Sequence, residues 1–197
     1  MHLNYNNITI SGGVGVGTST LSNNLKTYLL PLGWTFFSGG EFMRSYAIEN
    51  GLFSAETKGH HNAETYSDEF DKQVDFGMKE TLENKKNQVL EAWLAGFFAR
   101  DLPDTLRILL TCSNKSIRID RVVNRDNVSI EEAKASIKDR EETNILKWKR
   151  LYGDYNFFDP QYYHLVIDTY AIGPLETTGM VLDTLGYDHS KIKIDRK

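Results

Sequence analysis

Short apolar runs alternate with longer polar or amphipathic segments along this chain. Five of the runs have the length and composition of buried β-strands. They are NITIS, WTFFS, QVLEA, LRILLT and HLVID, at residues 7–11, 34–38, 88–92, 106–111 and 164–168. Strands that alternate with helices are typical of a parallel sheet covered by helices on both faces. The pattern therefore predicts an α/β three-layer sandwich around a five-stranded parallel sheet.

Periodicity and end signals place two helices. The first begins at Thr18, ends near residue 30, and has a leucine at every fourth position: Leu21, Leu25 and Leu29. The second follows SIEE, in which Ser129 and Glu132 have the spacing of a capping box, and Gly153 ends it after Tyr152.

Two intervals between strands, residues 39–86 and 113–162, are too long to be simple crossovers. Both are polar, charged and largely helical in pattern. Insertions of this size in a compact α/β protein are usually functional covers. We expect one domain over residues 1–197 that carries two mobile segments above its sheet.

Composition narrows the function classes. The chain has 197 residues, 40% hydrophobic and 25% charged, with a net charge of −4. An acidic balance argues against a general nucleic-acid or membrane-surface binder, since both favour a basic surface. The lone Cys112 excludes an intrachain disulfide, and we expect it to be buried at a strand end. No apolar run approaches the ~20 residues that span a bilayer, and the polar N-terminus does not resemble a signal peptide, so we expect a cytoplasmic protein.

The segment ISGGVGVGTST has the layout of a phosphate-binding loop. Its match to G-x-x-x-x-G-K-[ST] runs from Gly12 through Gly17 to Ser19, with Thr18 where the pattern has lysine. Glycines let backbone N–H groups turn toward an anion, and the following helix points its positive end there. We predict that ATP phosphates bind at Gly12, Gly13, Val14, Gly15, Val16, Gly17, Thr18, Ser19 and Thr20, and that the Ser19 hydroxyl helps to hold Mg²⁺. The alternative is a tight glycine-rich turn without a ligand.

Further fragments, in the same order and spacing, carry a family resemblance over residues 8 to about 185. They are FFSGGEFMR, FDKQVD, QVLEAWLAGFFAR, SIRIDRVVNRDNVSIEEA, DREETNILKWKRLYGDY and HLVIDT. The chain resembles the cytidylate kinase-like nucleoside monophosphate kinases, in particular their short archaeal-type branch. The resemblance implies a P-loop kinase fold with strand order 2-3-1-4-5. It also implies transfer of the ATP γ-phosphate, with Mg²⁺, to a small nucleotide, usually CMP or dCMP. Whether the protein is a monomer or a dimer stays open.

The same resemblance assigns roles to individual residues. Residues 39–86 become a flap that binds the acceptor nucleotide, and residues from 113 to about 158 become a lid over ATP. It implies contacts of Arg118 with the ATP phosphates and catalytic roles for Arg121, Arg125 and Arg140. It implies acceptor contacts at Ser38, Gly40, Arg44, Asp71, Trp93 and Lys147.

The residues themselves support part of this assignment. Arg118, Arg121 and Arg125 lie at i, i+3 and i+7, so a helix would place them on one stripe. The alternative is a solvated basic face paired with neighbouring aspartates. Glu91 ends the third strand, where α/β sheets bind ligands, and is a second candidate for holding Mg²⁺ through a water.

Three departures from the family pattern all remove positive charge. Thr18 replaces the loop lysine, Trp93 replaces the arginine of an E-G-R motif, and Lys147 replaces a lid arginine. Losing one preorganised donor to a developing oxyanion costs ~10²–10³ in rate. The sequence therefore leaves three hypotheses: a working kinase whose lid arginines supply the missing charge, a weakly active nucleotide binder, and a kinase for a nucleoside or other small acceptor.

Several residues keep two interpretations. Trp93 either stacks on a base or packs under the flap, and Asp71 with Asp75 either binds the acceptor or forms an exposed acidic stripe. The pair His60 and His61 lacks further ligands at useful spacing, which favours an exposed loop over a metal site.

Overall fold

The computed structural model describes residues 3–52, 54 and 63–191. Its centre is a five-stranded sheet, all parallel, in the order β2-β3-β1-β4-β5. The strands are β1 (Asn7–Gly12), β2 (Thr35–Ser38), β3 (Gln88–Glu91), β4 (Thr105–Thr111) and β5 (Leu165–Asp168). Each predicted strand is confirmed to within one residue at either end, and the strand order implied by the resemblance is confirmed as well.

The helices between the strands are α1 (Thr18–Leu29), α2 (Gly39–Glu49), α3 (Asp68–Asn84), α4 (Ala95–Phe98), α5 (Lys115–Asp126), α6 (Ile130–Tyr152) and α7 (Pro174–Leu185). Short 3-10 turns occur at Leu30–Leu32, Ala63–Thr65, Pro160–Tyr162 and His189–Lys191. The two predicted helices are confirmed as α1 and α6. The capping box is present: the Ser129 hydroxyl accepts from the Glu132 amide at 3.2 Å, while the Glu132 carboxylate accepts from the Ser129 amide at 2.7 Å.

Strand β1 is buried along its whole length because helices cover both faces of the sheet. Ile8 and Ile10 belong to the large core that includes the leucines of α1 and α7. Polar residues alternate with them. The Asn7 amide donates to the carbonyls of Leu82 and Lys85 at 3.0 and 2.9 Å, and the Ser11 hydroxyl accepts from the Gly96 amide at 2.9 Å. These bonds fasten the α3 and α4 layer to the central strand.

The carboxyl ends of the strands meet at one edge of the sheet. Register places Glu91 opposite both Ile10 and Ser38, and Thr111 opposite Asp168. Helices α2 and α3 fill the first long interval, and α5 and α6 fill the second. Cys112 directly follows β4 and is buried, as predicted. Across the described ranges, every helix is too short or too polar to cross a membrane.

Candidate active site

The glycine-rich loop between β1 and α1 forms a cradle, which we define as residues 12–20. Gly15 has φ +73°, and a Cβ there would lie 2.9 Å from the Arg118 carbonyl oxygen. Gly17, the N-cap of α1, has φ +101° and brings no side chain to the first helical turn. Val14 and Val16 are buried on two different cores, so the loop presents its backbone to the space above the sheet. This geometry suits an anion at the start of α1.

A cleft of about 580 Å³ lies above the cradle. It is lined by all nine cradle residues together with six further predicted residues: Ser38, Gly40, Glu91, Arg121, Arg125 and Arg140. Trp93 lines it too. The structure thus brings the predicted ATP, metal and catalytic residues to one place, with Arg118 as the exception.

Glu91 accepts hydrogen bonds from three hydroxyl groups of this cleft. Its Oε1 accepts from Thr18 Oγ1 at 2.7 Å and from Ser19 Oγ at 3.2 Å. Its Oε2 accepts from Ser38 Oγ at 2.6 Å. The residue is 9% exposed, and within the described ranges no Lys, Arg or His forms an ion pair with it. Thr18 therefore brings a hydroxyl bound to a carboxylate where the family pattern has a cation.

These oxygens fit the Mg²⁺ that kinases use. A buried carboxylate without a cationic partner, beside the exposed Ser19 hydroxyl, offers the oxygen ligands that this hard cation prefers. In the part of the chain that the structure describes, no group of three or more acidic, His or Cys side chains could hold a metal alone. That agrees with a cation bound through one carboxylate and the phosphates of a substrate.

The three arginines of α5 have different surroundings. Arg121 donates from Nη1 to the Gly15 carbonyl at 3.1 Å and to Thr169 Oγ1 at 2.8 Å, so it already contacts the cradle. Arg125 is half exposed and pairs with Asp126 at 2.7 Å, in line with the solvated alternative. Arg118 donates to the Val14 carbonyl at 2.9 Å and pairs with Glu141, outside the cleft. The three arginines do share one helix, α5, but each has different partners.

Arg140 stands between two cavities. It lines the main cleft and a second, smaller cavity of about 110 Å³ on the α2 and α3 side. Its guanidinium lies 5.6 Å from the centre of the Trp93 ring, and among the described residues its buried Nε has no hydrogen-bond partner. Burial lowers the pKa of Arg140 to about 10, which keeps it charged at neutral pH. Trp93 also contacts Trp148 of α6 and Phe158, and it lines both cavities.

The second cavity is lined by three of the predicted acceptor residues, Gly40, Asp71 and Trp93, together with Arg140, which was predicted to be catalytic. Asp71 is buried, which excludes the exposed acidic stripe at this position. Lys147 lies behind it, with Nζ 2.8 Å from Asp71 Oδ2 and 2.7 Å from the Tyr66 carbonyl oxygen. Lys147 is thus held in a buried ion pair and does not line the cavity.

Asp75, one turn after Asp71 on α3, also lines the second cavity. Its Oδ2 accepts from the Tyr152 hydroxyl at 2.7 Å. Burial raises the pKa of Asp75 to about 7 and that of Tyr152 well above its usual range. Arg44 lies on α2, lines neither cavity, and acts electrostatically on Tyr66. His60 and His61 lie outside the described residues.

Comparison with known proteins gives this geometry a context. A model of the Cytidylate kinase-like family matches residues 7–171. The chain belongs to the cytidylate kinase-like family. A cytidylate kinase of Thermococcus sibiricus is 36% identical over 168 residues, covering 85% of this chain and 81% of its own. One of Pyrococcus abyssi is 32% identical over 186 residues, covering 94% and 96%.

Solved structures show the fold. An uncharacterized protein from Eubacterium ventriosum superposes with a TM-score of 0.67 at 14% identity, covering 92% of this chain and 98% of its own. Shikimate kinase from Acinetobacter baumannii superposes with a TM-score of 0.53 at 14% identity, covering 96% of both chains. The fold of this family member is that of a P-loop kinase, and family and fold together support a phosphotransferase.

Sequence reasoning missed several polar residues that line the cavities of this cytidylate kinase-like chain, among them Asn124, Asn144 and Thr169. Asn144 lies one turn after Arg140 on α6, so helical spacing could have found it. Thr169 directly follows β5, and the rule that ligands bind at the carboxyl ends of parallel strands could have found it. Asn124 is on α5 between two predicted arginines, and no motif distinguishes it.

Proposed function

We propose that the protein transfers the γ-phosphate of ATP, with Mg²⁺, to a nucleoside monophosphate, and that CMP or dCMP is its preferred acceptor. The observation that carries this is the shared wall of the two cavities. Gly40, Ala92, Trp93 and Arg140 line both, so a donor in the larger cleft and an acceptor in the smaller cavity would meet at Arg140. Phosphoryl transfer requires this side-by-side placement and little covalent help from the protein. The relatives named cytidylate kinase support the choice of acceptor.

On this proposal the cradle binds the phosphates of ATP, and Glu91 with Ser19 holds the cation. A bound Mg²⁺ would neutralise charge on the phosphate oxygens. Arg121 and Arg140 line the same cleft and would spread positive charge around the transferring group. We infer that α2 and α3 act as the acceptor flap and α5 and α6 as the lid. Arg118 and Lys147 would reach a ligand only after leaving Glu141 and Asp71.

One observation favours a second candidate, an unphosphorylated acceptor such as a nucleoside. Among the described residues that line the smaller cavity, Arg140 is the one cation, whereas Asp71 and Asp75 are carboxylic acids. An acceptor phosphate placed there would have few cationic partners. Cytidine therefore belongs beside CMP in any test.

The deciding experiment measures ADP formation with Mg²⁺ and a panel of CMP, dCMP, UMP, AMP, GMP and cytidine. We expect CMP or dCMP to react fastest, and Arg140→Ala to lower kcat by ~10² or more because a transition-state donor is lost. Lys138→Ala is the matched control: it removes a cation from the same helix that lines neither cavity, and its kcat should stay at the wild-type value.

Other outcomes would change the assignment. Fastest turnover with cytidine would favour the second candidate. ATP binding without turnover of any acceptor would favour a nucleotide binder; such binding stabilises the fold by ~2.7 kcal/mol at one hundred times the dissociation constant, which raises the melting temperature. If ATP at millimolar concentration causes no thermal shift, the cradle assignment is wrong.

A further inference from the structure

Thr169, the residue after β5, links three elements beside the cradle. Its amide donates to the Thr111 carbonyl at 2.9 Å, which continues the pairing of β5 with β4. Its Oγ1 lies 2.8 Å from the Val16 carbonyl oxygen and 3.0 Å from the Thr111 carbonyl oxygen. Both carbonyls are acceptors, so the hydroxyl proton must point to one of them. The lone pairs of Oγ1 are therefore left for a donor on its other side.

Arg121 is that donor. Its Nη1 donates to Thr169 Oγ1 at 2.8 Å and to the Gly15 carbonyl at 3.1 Å, and its Nη2 donates to the Thr169 carbonyl at 2.9 Å. Three bonds from two nitrogens fix both the position and the plane of a guanidinium. In the described part of the chain, Nε–H and one Nη2–H have no protein acceptor. Arg121 also lines the main cleft, so these donors belong to a group at the edge of the predicted phosphate site.

Arg121 is also held beside the cradle by the packing of α5 on the loop. Val14 of the cradle shares a small core with Val122 and Ala133, which packs α5 directly on the loop. Thr18 is neutral, and its hydroxyl donates to Glu91. Position 18 therefore contributes no positive charge to the cradle. The cation that both contacts the cradle backbone and lines the main cleft is therefore Arg121 of α5, and Thr169 supplies two of the three atoms that hold it.

We propose that Thr169 is a positioning residue that fixes Arg121 as the resident cation of the cradle, in the role that a lysine at position 18 would otherwise fill. This rests on the proposed kinase function. A purely structural role for the same bonds, docking α5 on the loop, makes different predictions. It requires Thr169→Val to lower the stability of the fold without lowering kcat.

The test is a double-mutant cycle with Thr169→Val, Arg121→Ala and the combination, measured as kcat for ADP formation and as melting temperature. We expect Arg121→Ala to lower kcat by ~10². Thr169→Val should lower it by ~10-fold or more, since a small misplacement of a catalytic group has such effects. In the Arg121→Ala background, Thr169→Val should have no further effect, because it acts only through the arginine. Thr169→Ser, which keeps the hydroxyl, should restore turnover.

Thr178→Val is the control for loss of a buried hydroxyl, on α7 and away from the cleft lining. It should lower the melting temperature without changing kcat. The proposal is overturned if Thr169→Val lowers kcat equally in both backgrounds, or if Thr169→Ser is as impaired as Thr169→Val.

A second readout does not depend on turnover. Inorganic tripolyphosphate, titrated calorimetrically in the presence of Mg²⁺, should bind at least ~3-fold more weakly to Arg121→Ala and to Thr169→Val, since each loses a charge-assisted hydrogen bond or its geometry. The double variant should bind no more weakly than Arg121→Ala. If wild type binds tripolyphosphate with this coupling but transfers phosphate to no acceptor, the kinase proposal fails and the positioning role stands. If binding is independent of Arg121, the positioning role fails.

Discussion

Replacing Thr18 with lysine tests whether the cradle lacks a cation. The substitution restores the family pattern at the one loop position where this chain departs from it. If the cradle has no other positive charge, the new amine would supply a missing oxyanion donor and raise kcat by ~10²–10³. If Arg121 already fills that role, the amine adds little. The two hypotheses differ by about two orders of magnitude in rate.

The structure favours the second outcome and gives a reason. The Thr18 hydroxyl points at Glu91 Oε1, 2.7 Å away, and Glu91 is 9% exposed. A lysine amine about 4 Å from this carboxylate would be attracted by ~4 kcal/mol at the effective dielectric constant of a protein surface. We therefore expect the lysine to pair with Glu91. Such a pair would occupy the carboxylate that we propose for Mg²⁺, so kcat should stay within ~3-fold of wild type or fall, well short of the gain from a new oxyanion donor.

The assay is ADP formation at saturating CMP, with the Mg²⁺ dependence measured for each variant. Thr18→Ser keeps the hydroxyl and serves as the control, while Thr18→Val removes the bond to Glu91 without adding charge. A weaker apparent affinity for Mg²⁺ in Thr18→Lys would support capture of the amine by Glu91. The reasoning is refuted if wild type is nearly inactive and Thr18→Lys raises kcat by ~10².

Two further predictions concern the second cavity. Burial raises the pKa of Asp75 to about 7, so the folded protein binds this proton more tightly than the unfolded chain does, and stability should fall as pH rises between about 4 and 7 and level off above. Asp75→Asn should remove this dependence of the unfolding free energy on pH, which is worth up to ~1.4 kcal/mol per pH unit. Denaturant unfolding of both proteins at pH 5 and 8 measures it. An equal change in stability for wild type and variant would contradict the prediction. Trp93→Leu should cost roughly 2–3 kcal/mol of stability and lower kcat, because the ring beside Arg140 is lost. Trp93→Phe should keep most of the activity, and unchanged kcat in Trp93→Leu would show that the ring only packs.

The strands and the start of α6 could be predicted because they depend on local signals. A strand buried on both faces is mostly apolar, and most of its polar side chains are hydrogen-bonded, as β1 shows with Ile8, Ile10 and Asn7. The start of α6 could be predicted because Ser129 and Glu132 bond to each other within one turn. These signals need no knowledge of what lies across the fold.

The partners of the charged residues could not be predicted, because they come from distant parts of the chain. Arg118 and Arg121 lie on one stripe of α5, yet the first meets Glu141 of α6 and the second meets the loop after β5. Asp71 stands in a pattern that also fits an exposed acidic stripe, and only Lys147 on α6 explains its burial. A spacing rule gives the face of a helix but not what the fold places against it.

The partner of Thr18, at the centre of the site, could not be predicted for the same reason. As a residue type Thr18 indicates a lost charge, and the sequence offers no sign that Glu91, at the end of the strand that pairs with β1, accepts its hydroxyl. The structure instead places the charge on α5, whose Val122 shares a core with Val14 of the cradle. A cation carried by the loop itself would stay with the phosphates whatever the lid does. A cation carried by α5 ties phosphate binding to the packing of that helix, so on the proposed mechanism the cradle and the first lid helix act as one unit.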